Sequence, residues 1–380
     1  MLREIKIENF RSFKSFELRN LGRLNLLVGT NNSGKTSVLE AIQLLCSRNN
    51  LEPLRDSMVS RGEYSWDERK RYRELDVCHL FHGHQIEPGS EFSVLGTGES
   101  RLEKLTAKVG LRPLRRLYEK TSDNGEQLKM LDDYVFEDSP NDFNVLDLTI
   151  KWLYGNEQDA WERPLSSDGK LTEDYIRRLR PIGRAKGLDT KTQFVTSSAL
   201  TSERTIELFE QIVLTPEENL VQEALQVIEP RIERIASLGS ERFRRSEARG
   251  GFVVNLSDGE QRVPIGSMGD GIWRMLGLAL STVSSTSGVL FVDEIDTGLH
   301  FTAMSDMWKL IWETAKRLDV QVFATTHSSD CWTSLATIVD QDILSEDGIT
   351  IQRIERDQSV SVAFSESEIV IAAKRGIEVR

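Results

Sequence analysis

Residues Gly29 to Thr36 read Gly-Thr-Asn-Asn-Ser-Gly-Lys-Thr, with the apolar run 24–28 before them and a helical pattern over 37–45 after them. That order, strand then glycine-rich turn then helix, leaves the chain few folds to choose from. The glycines let the backbone bend so that successive N–H groups face one phosphate. The following helix directs its positive end at the same anion. The candidate phosphate contacts are therefore Asn31, Asn32, Ser33, Gly34, Lys35, Thr36 and Ser37. The Lys35 ammonium suits the β- and γ-phosphates of a nucleoside triphosphate, and the Thr36 hydroxyl suits the Mg²⁺ that accompanies it.

Later segments supply what a phosphate loop needs beside it. The run 289–292 is apolar and ends in Asp293-Glu294. Neighbouring side chains on a strand point to opposite sides, so the two carboxylates have different tasks. Asp293 is assigned to the Mg²⁺ shell and Glu294 to polarising the attacking water. A second apolar run, 320–324, is followed by Thr325-Thr-His327-Ser328. That places His327 at the carboxyl end of a buried strand, where ligands bind in open α/β sheets. The segment Ser267-Met-Gly269-Asp-Gly271 opens a helix and again offers a hydroxyl, backbone N–H groups and a positive helix end. One phosphate cannot use two such loops of one subunit, so this one is expected to complete the site of a second copy.

The alternation of helix-like and strand-like runs after residue 250 indicates a parallel α/β core. The helix at 272–280 lies between the strand pair 252–256 and 263–265 and the strand at 289–292; a helix at 304–318 comes before the strand at 320–324. Before the phosphate loop, the first 28 residues read as two strands and a return strand. Strand-like runs recur near 91–95, 105–109 and 145–152, the stretch 120–145 reads as a polar loop, and 203–238 reads as helical, with Pro230 interrupting the pattern. Residues 51–90 read as charged and irregular. Trp152, Trp308 and Trp312 read as packing residues, the last two on one helix face.

The motif order resembles the ABC-type ATPases. The opening Ile7-Glu-Asn-Phe-Arg-Ser-Phe13 is similar to the RecF, SMC and OLD branch, and Val292-Asp-Glu-Ile-Asp-Thr-Gly-Leu-His300 with Gln321-Val-Phe-Ala-Thr-Thr-His327 is most similar to its stand-alone OLD-like members. The resemblance covers about residues 1–48 and 250–335. It implies an α/β P-loop fold, a two-lobe ABC-like head with a mixed or parallel sheet and a helical insertion. The core would be 1–48 and 250–380; residues 49–249 would hold the rest of the first lobe's sheet and a mostly helical insertion. The resemblance further implies ATP and Mg²⁺ as ligands, and two copies arranged head to tail around two nucleotides. Arg11 would approach the nucleotide, Asp296 and the loop after it would lie at the interface, and a glutamine, Gln85 or Gln127, would join the Mg²⁺ shell. OLD proteins continue into a Toprim nuclease; about 50 residues follow His327 here, and the strands at 349–354 and 360–364 read as a closing sheet edge. The effector, a nuclease or toxin in defence against phage, is therefore expected to be a separate protein.

Net charge is −12, from 48 basic and 60 acidic residues, which argues against a surface given over to nucleic acid. Three arginine clusters run against that balance: Arg112, Arg115 and Arg116; Arg177, Arg178, Arg180, Arg184 and Lys186; and Arg242, Arg244, Arg245 and Arg249. They keep open the alternative of a RecF-like, ATP-dependent DNA-binding protein. No run approaches the ~20 apolar residues of a membrane span. With no secretion signal and three cysteines, the expected compartment is the cytoplasm. The cluster Cys78-His79-Leu-Phe-His82-Gly-His84 carries zinc-capable side chains, but no second ligand pair accompanies it, so it reads as a packed loop.

Overall fold

The computed structural model describes all residues except 49, 68–71, 99–101, 114–143, 178–190, 199, 239–250, 260, 342–347 and 380. The chain forms two compact units. The first comprises Met1–Glu4, Leu18–Leu39 and Thr190–Arg380; the second comprises Ile5–Glu17 and Glu40–Asp189.

The first unit is built on a six-stranded sheet in the order Thr192–Val195, Val289–Val292, Gln321–Thr325, Leu24–Val28, Ile349–Arg353, Val362–Phe364. The first five strands are parallel, and the last is an antiparallel edge. The central strands are apolar on both faces because helices cover both, and every residue of Leu24–Val28, Val289–Val292 and Gln321–Thr325 is buried. With Asn25 and Thr325, Gln321 is one of the polar residues admitted there. Its side chain accepts from the Leu2 amide at 2.9 Å and donates to Leu2 O and Gly22 O, both at 2.8 Å, so no polar atom of its amide is left bare. Helices Asp270–Ser284 and Phe301–Leu318 pack their apolar faces into the same core, the second through Met304, Met307, Trp308, Ile311 and Trp312. The Trp308 indole donates to Cys331 O at 3.0 Å.

Parallel pairing in register brings the carboxyl ends of three strands to one edge. Val292 lies beside Ala324, and Thr325 beside Leu27. The loops after Val28, Val292 and Thr325 therefore emerge together, and these are the three loops that carry the motifs.

The second unit holds a six-stranded sheet in the order Phe13–Leu18, Leu2–Phe10, Glu91–Gly98, Leu102–Pro113, Asn144–Tyr154, Glu157–Pro164. A small antiparallel sheet of Lys170–Thr172, Tyr72–Asp76 and Tyr64–Asp67 accompanies it.

Several expectations change. The described part of 49–249 is dominated by strands rather than helices. The boundary also moves, because residues 190–249 belong with the first unit. The 203–238 pattern is two helices, Ser202–Ile212 and Glu217–Ile228, followed by strand Ile232–Ser237. Pro230 ends the helical stretch, and Ile232 and Ile235 then face the core through pairing with Phe252–Leu256. Within the stretch read as irregular, Glu52–Ser60 is a helix with Pro53 in its first turn, where the missing N–H costs nothing. The edge strand Thr192–Val195 was also missed; it has only four residues. The loop expected at 120–145 and Gln127 fall outside the described residues, apart from Asn144 and Val145, which open a strand. Among the arginine clusters, Arg115, Arg116 and all but Arg177 of the other two lie outside the described residues.

Candidate functional site

The phosphate loop is shaped by a close backbone approach at Gly29 and by residues at positive φ. Gly29 sits at φ 145°, and a Cβ there would stand 2.3 Å from Ile354 O. No side chain fits, so this glycine is required by the fold of the loop itself. Gly34 is also at positive φ, 100°, and Asn32 at 61°. Asn31 and Asn32 are exposed, Ser33 and Ser37 buried, and Ser33 Oγ has no hydrogen-bond partner among the described residues. Helix Lys35–Cys46 starts at the end of the loop.

Lys35 is only 5% exposed, and its ammonium donates to Gly29 O at 2.9 Å and Thr30 O at 2.8 Å. Burial lowers its pKa, while Asp293 and Glu294 oppose the shift. The ammonium thus lies folded against the loop's own carbonyls, in the field of Asp293 and Glu294.

Opposite it, Thr36 Oγ1 lies 3.2 Å from each oxygen of Asp293. Thr325 Oγ1 donates to Asp293 Oδ1 at 2.7 Å and accepts from the Glu294 amide at 2.8 Å. Glu294 stands at φ 48°, uncommon for a residue with a side chain. Its peptide is clamped from both ends: Thr325 holds its N–H, and Arg274 holds its carbonyl. The Arg274 guanidinium reaches Glu294 O at 2.8 Å, Asp293 O at 3.1 Å and Thr196 O at 2.6 Å. Arg274 is 2% exposed, and burial pushes its pKa down to about 10, so it remains charged at neutral pH. The Glu294 carboxylate that results is partly exposed, with Oε1 3.6 Å from His327 Nε2 and Oε2 accepting from Thr297 Oγ1 at 3.3 Å. Beside it, Thr326 Oγ1 donates to Asp296 Oδ1 at 2.6 Å.

Lys35, Thr36, Asp293, Glu294 and His327 are therefore brought together by three loops of one unit. Ser267, Gly269 and Gly271 lie at the start of helix Asp270–Ser284, with Ser267 and Gly269 exposed. Gly271 is close to the loop after Glu294: a Cβ on it would lie 3.4 Å from Gly298 O. Two sequence candidates, Arg11 and Gln85, belong to the second unit. Arg11 is 4% exposed, and its guanidinium is committed to carboxylates: Nε lies 2.8 Å from Glu40 Oε2, Nη1 2.5 Å from Glu63 Oε1, and Nη2 donates to Ser57 Oγ at 3.0 Å. Gln85 lies in an exposed loop. Sequence reading missed the hydroxyl of Thr325 and the guanidinium of Arg274. An arginine inside an otherwise apolar helix stretch, Ile272–Leu280, was the available signal for the second.

Thr325→Val keeps the shape and removes both bonds. It is expected to lower stability by about 1–3 kcal/mol and to weaken Mg²⁺-dependent turnover, because the Asp293 carboxylate and the Glu294 N–H each lose a partner. Thermal denaturation and a phosphate-release assay over a Mg²⁺ series measure the two effects.

A parallel sheet whose strand ends gather a phosphate loop, an Asp-Glu pair, a histidine and a glycine-rich helix start defines an ABC-type ATPase of the RecF and SMC branch. The chain belongs to the family described as "AAA domain, putative AbiEii toxin, Type IV TA system", which it matches over residues 24–330. It is 21% identical over 370 residues to an "ATP/GTP phosphatase" of Helicobacter pylori, covering 91% of this chain and 90% of that protein. It is 27% identical over 145 residues to a "DNA replication and repair protein RecF" of Rickettsia massiliae, covering 37% of this chain and 40% of that one. Among solved structures, the SMC head domain from Thermotoga maritima aligns over 96% of this chain and 98% of its own, with a TM-score of 0.42 and 12% identity. Among the described residues, no helix is long and apolar enough to cross a membrane.

Proposed function

We propose that this ATPase is a dimeric switch: ATP joins two copies head to tail, hydrolysis releases them, and a separately encoded effector reads the difference. What supports it is that one chain carries two glycine-containing helix starts of the kind that binds phosphate. The first, around Lys35, is closed over by Asp293 and Glu294. The second, Ser267 to Gly271, is exposed at a helix start. A second copy supplies the missing half to each.

The residues fit Mg²⁺. Thr36 Oγ1 and the Asp293 carboxylate are hard oxygen donors 3.2 Å apart, the ligand type that this ion takes alongside phosphate and water. When bound, it would neutralise charge on the β- and γ-phosphate oxygens. Lys35 would bind the same phosphates, and Ser33 Oγ and the loop's N–H groups would orient them. Glu294 would take the proton of the attacking water, and His327 would hold that water or the γ-phosphate oxygen facing it. Asn31, Asn32, Gly34 and Ser37 complete the cradle. As the family resemblance implies, Arg11 would approach the nucleotide and Gln85 would join the Mg²⁺ shell. The similar proteins described as an ATP/GTP phosphatase and as RecF support the nucleotide chemistry; the reading places the protein in the cytoplasm and its effector in anti-phage defence.

The alternative, ATP-dependent DNA binding of the RecF kind, has the RecF matches behind it. One of its candidate contacts is already engaged: Arg112 Nη2 lies 2.5 Å from Glu162 Oε2 and 3.2 Å from Asp147 Oδ2.

Mixing two inactive variants tests the dimeric site. Lys35→Ala removes the loop's cation, and Ser267→Arg fills the exposed helix start. In a mixed dimer one site carries both lesions and the other carries neither. Random pairing then restores about a quarter of wild-type ATPase activity. A mixture as inactive as its components would reject the shared site.

A further inference from the structure

Strand Tyr72–Asp76 runs directly into a single 3-10 turn, Val77–Leu80, and the turn is followed by His82, Gly83 and His84. Gly83 and His84 both have positive φ, 86° and 56°, and this bend turns His84 back onto the turn. The result is a cluster of metal-ligating side chains. One ligand atom from each of Asp76, Cys78 and His79 lies within 4.8 Å of the others. Counting only cysteine and histidine in the sequence left out Asp76, which completes the set.

We propose that Asp76, Cys78 and His79 bind one transition-metal ion of the zinc class. Three atoms no more than 4.8 Å apart leave room for an ion within about 2.8 Å of each. Zinc–ligand bonds of about 2.0–2.3 Å space tetrahedral ligands roughly 3.3–3.8 Å apart. The Asp76 Oδ2 to His79 Nε2 distance is 3.8 Å, already at the edge of that range. The Cys78 Sγ contacts lie within 4.8 Å, so at most about 1.5 Å of closing brings every pair to tetrahedral spacing.

The donor set selects the ion. A thiolate, an imidazole and one carboxylate suit a borderline-soft divalent ion and are poor ligands for Mg²⁺, which takes oxygen. Three protein ligands leave a fourth position for water or another group.

A second observation points the same way. His79 Nδ1 lies 3.3 Å from His84 Nδ1. At that distance an N–H on one ring can donate to the bare nitrogen of the other. With the proton on His79 Nδ1, His79 Nε2 presents its lone pair towards Asp76. A metal-bound histidine regularly donates its other N–H to an outer partner, which fixes its tautomer and ring orientation. His84 is that partner here. His82 is engaged differently: its Nδ1 is 3.1 Å from Arg11 O.

The site is attached to the Arg11 segment. The Arg11 amide donates to Leu80 O at 3.0 Å, and the His82 amide donates to Asn9 O at 2.9 Å. A bound ion therefore fixes the turn on which the Arg11 backbone rests. This inference is independent of the ATPase reading.

Cobalt(II) titration of the full-length protein, with excess Mg²⁺ present to occupy oxygen sites, tests it. Cys46 and Cys331 are buried, so a thiolate-to-cobalt charge-transfer band in the near ultraviolet reports Cys78. The expected result is a band that saturates at about one equivalent, is displaced by Zn²⁺ and is untouched by Mg²⁺. Cys78→Ser abolishes the band, Asp76→Asn and His79→Gln weaken binding further than His84→Gln does, and His84→Gln weakens it about 10–100-fold. The wild-type titration needs no variant: absence of a saturable thiolate band overturns the site. So does a band that survives in Cys78→Ser, or zinc affinity unchanged in both Asp76→Asn and His79→Gln.

Discussion

Glu294→Gln is expected to keep ATP binding, to lower hydrolysis by about 10²–10⁴-fold and to collect the protein as an ATP-loaded dimer. The amide has nearly the shape of the carboxylate, so Thr325 and Arg274 still hold the backbone at both ends. What disappears is the ability to accept a proton from water. The change also removes a negative charge 3.6 Å from the His327 ring and one of the two carboxylates whose field bears on Lys35. Phosphate affinity then holds or rises while the chemical step slows. If ATP joins two copies and hydrolysis parts them, blocking hydrolysis shifts the population to the joined state by mass action. Size-exclusion chromatography with light scattering reads the dimer, and phosphate release reads the rate. A Glu294→Gln protein that stays monomeric with ATP bound would end the dimeric switch, and one that hydrolyses at the wild-type rate would end the assignment of Glu294 as base.

The contrast between what the sequence displayed and what it hid has a physical basis. Leu24–Val28, Val289–Val292 and Gln321–Thr325 are short and almost wholly apolar because both their faces are covered, so the core strands stood out and the motifs at their ends could be placed. The strand Thr192–Val195 has only one buried residue and sits at the sheet edge, so it left little pattern. Strand Ile232–Ser237 does not alternate: the register shifts between Ile232 and Arg234, so the buried Ile232 and Ile235 stand three apart, the spacing of a helix face rather than of a strand. Arg11 was readable as an arginine in a suggestive context. Its engagement with Glu40 and Glu63 depends on residues 29 and 52 positions away, which no local pattern reports. The same holds for Asp76: an aspartate at a strand end carries no mark of the histidine it faces.

The largest structural effect is expected at Arg274. Arg274→Met keeps most of the side chain's apolar stem and removes the guanidinium, which leaves the carbonyls of Thr196, Asp293 and Glu294 without their buried donor. Each unsatisfied acceptor costs about 1–3 kcal/mol, and relief from holding a charge in the core offsets part of the sum. A net loss of roughly 3 kcal/mol is expected, read as a lowered denaturation midpoint. Arg274→Lys separates stability from chemistry. A lysine retains the charge and can serve one carbonyl, but it lacks the planar fork that reaches three. Without that fork, Glu294 has no donor keeping its carbonyl fixed at φ 48°, and its carboxylate is free to leave the vicinity of His327. Arg274 also lies one turn into the helix that begins at Asp270, next to the exposed Gly269. In the proposed dimer a second copy's nucleotide would sit at that helix start, and Arg274 would join it to the Glu294 carbonyl through its 2.8 Å bond. Arg274→Lys should therefore bind ATP with near wild-type affinity and form the dimer, yet turn over at least ten-fold more slowly at saturating ATP. Equal turnover in Arg274→Lys and wild type would mean that the helix and the Asp293–Glu294 loop are joined for stability alone.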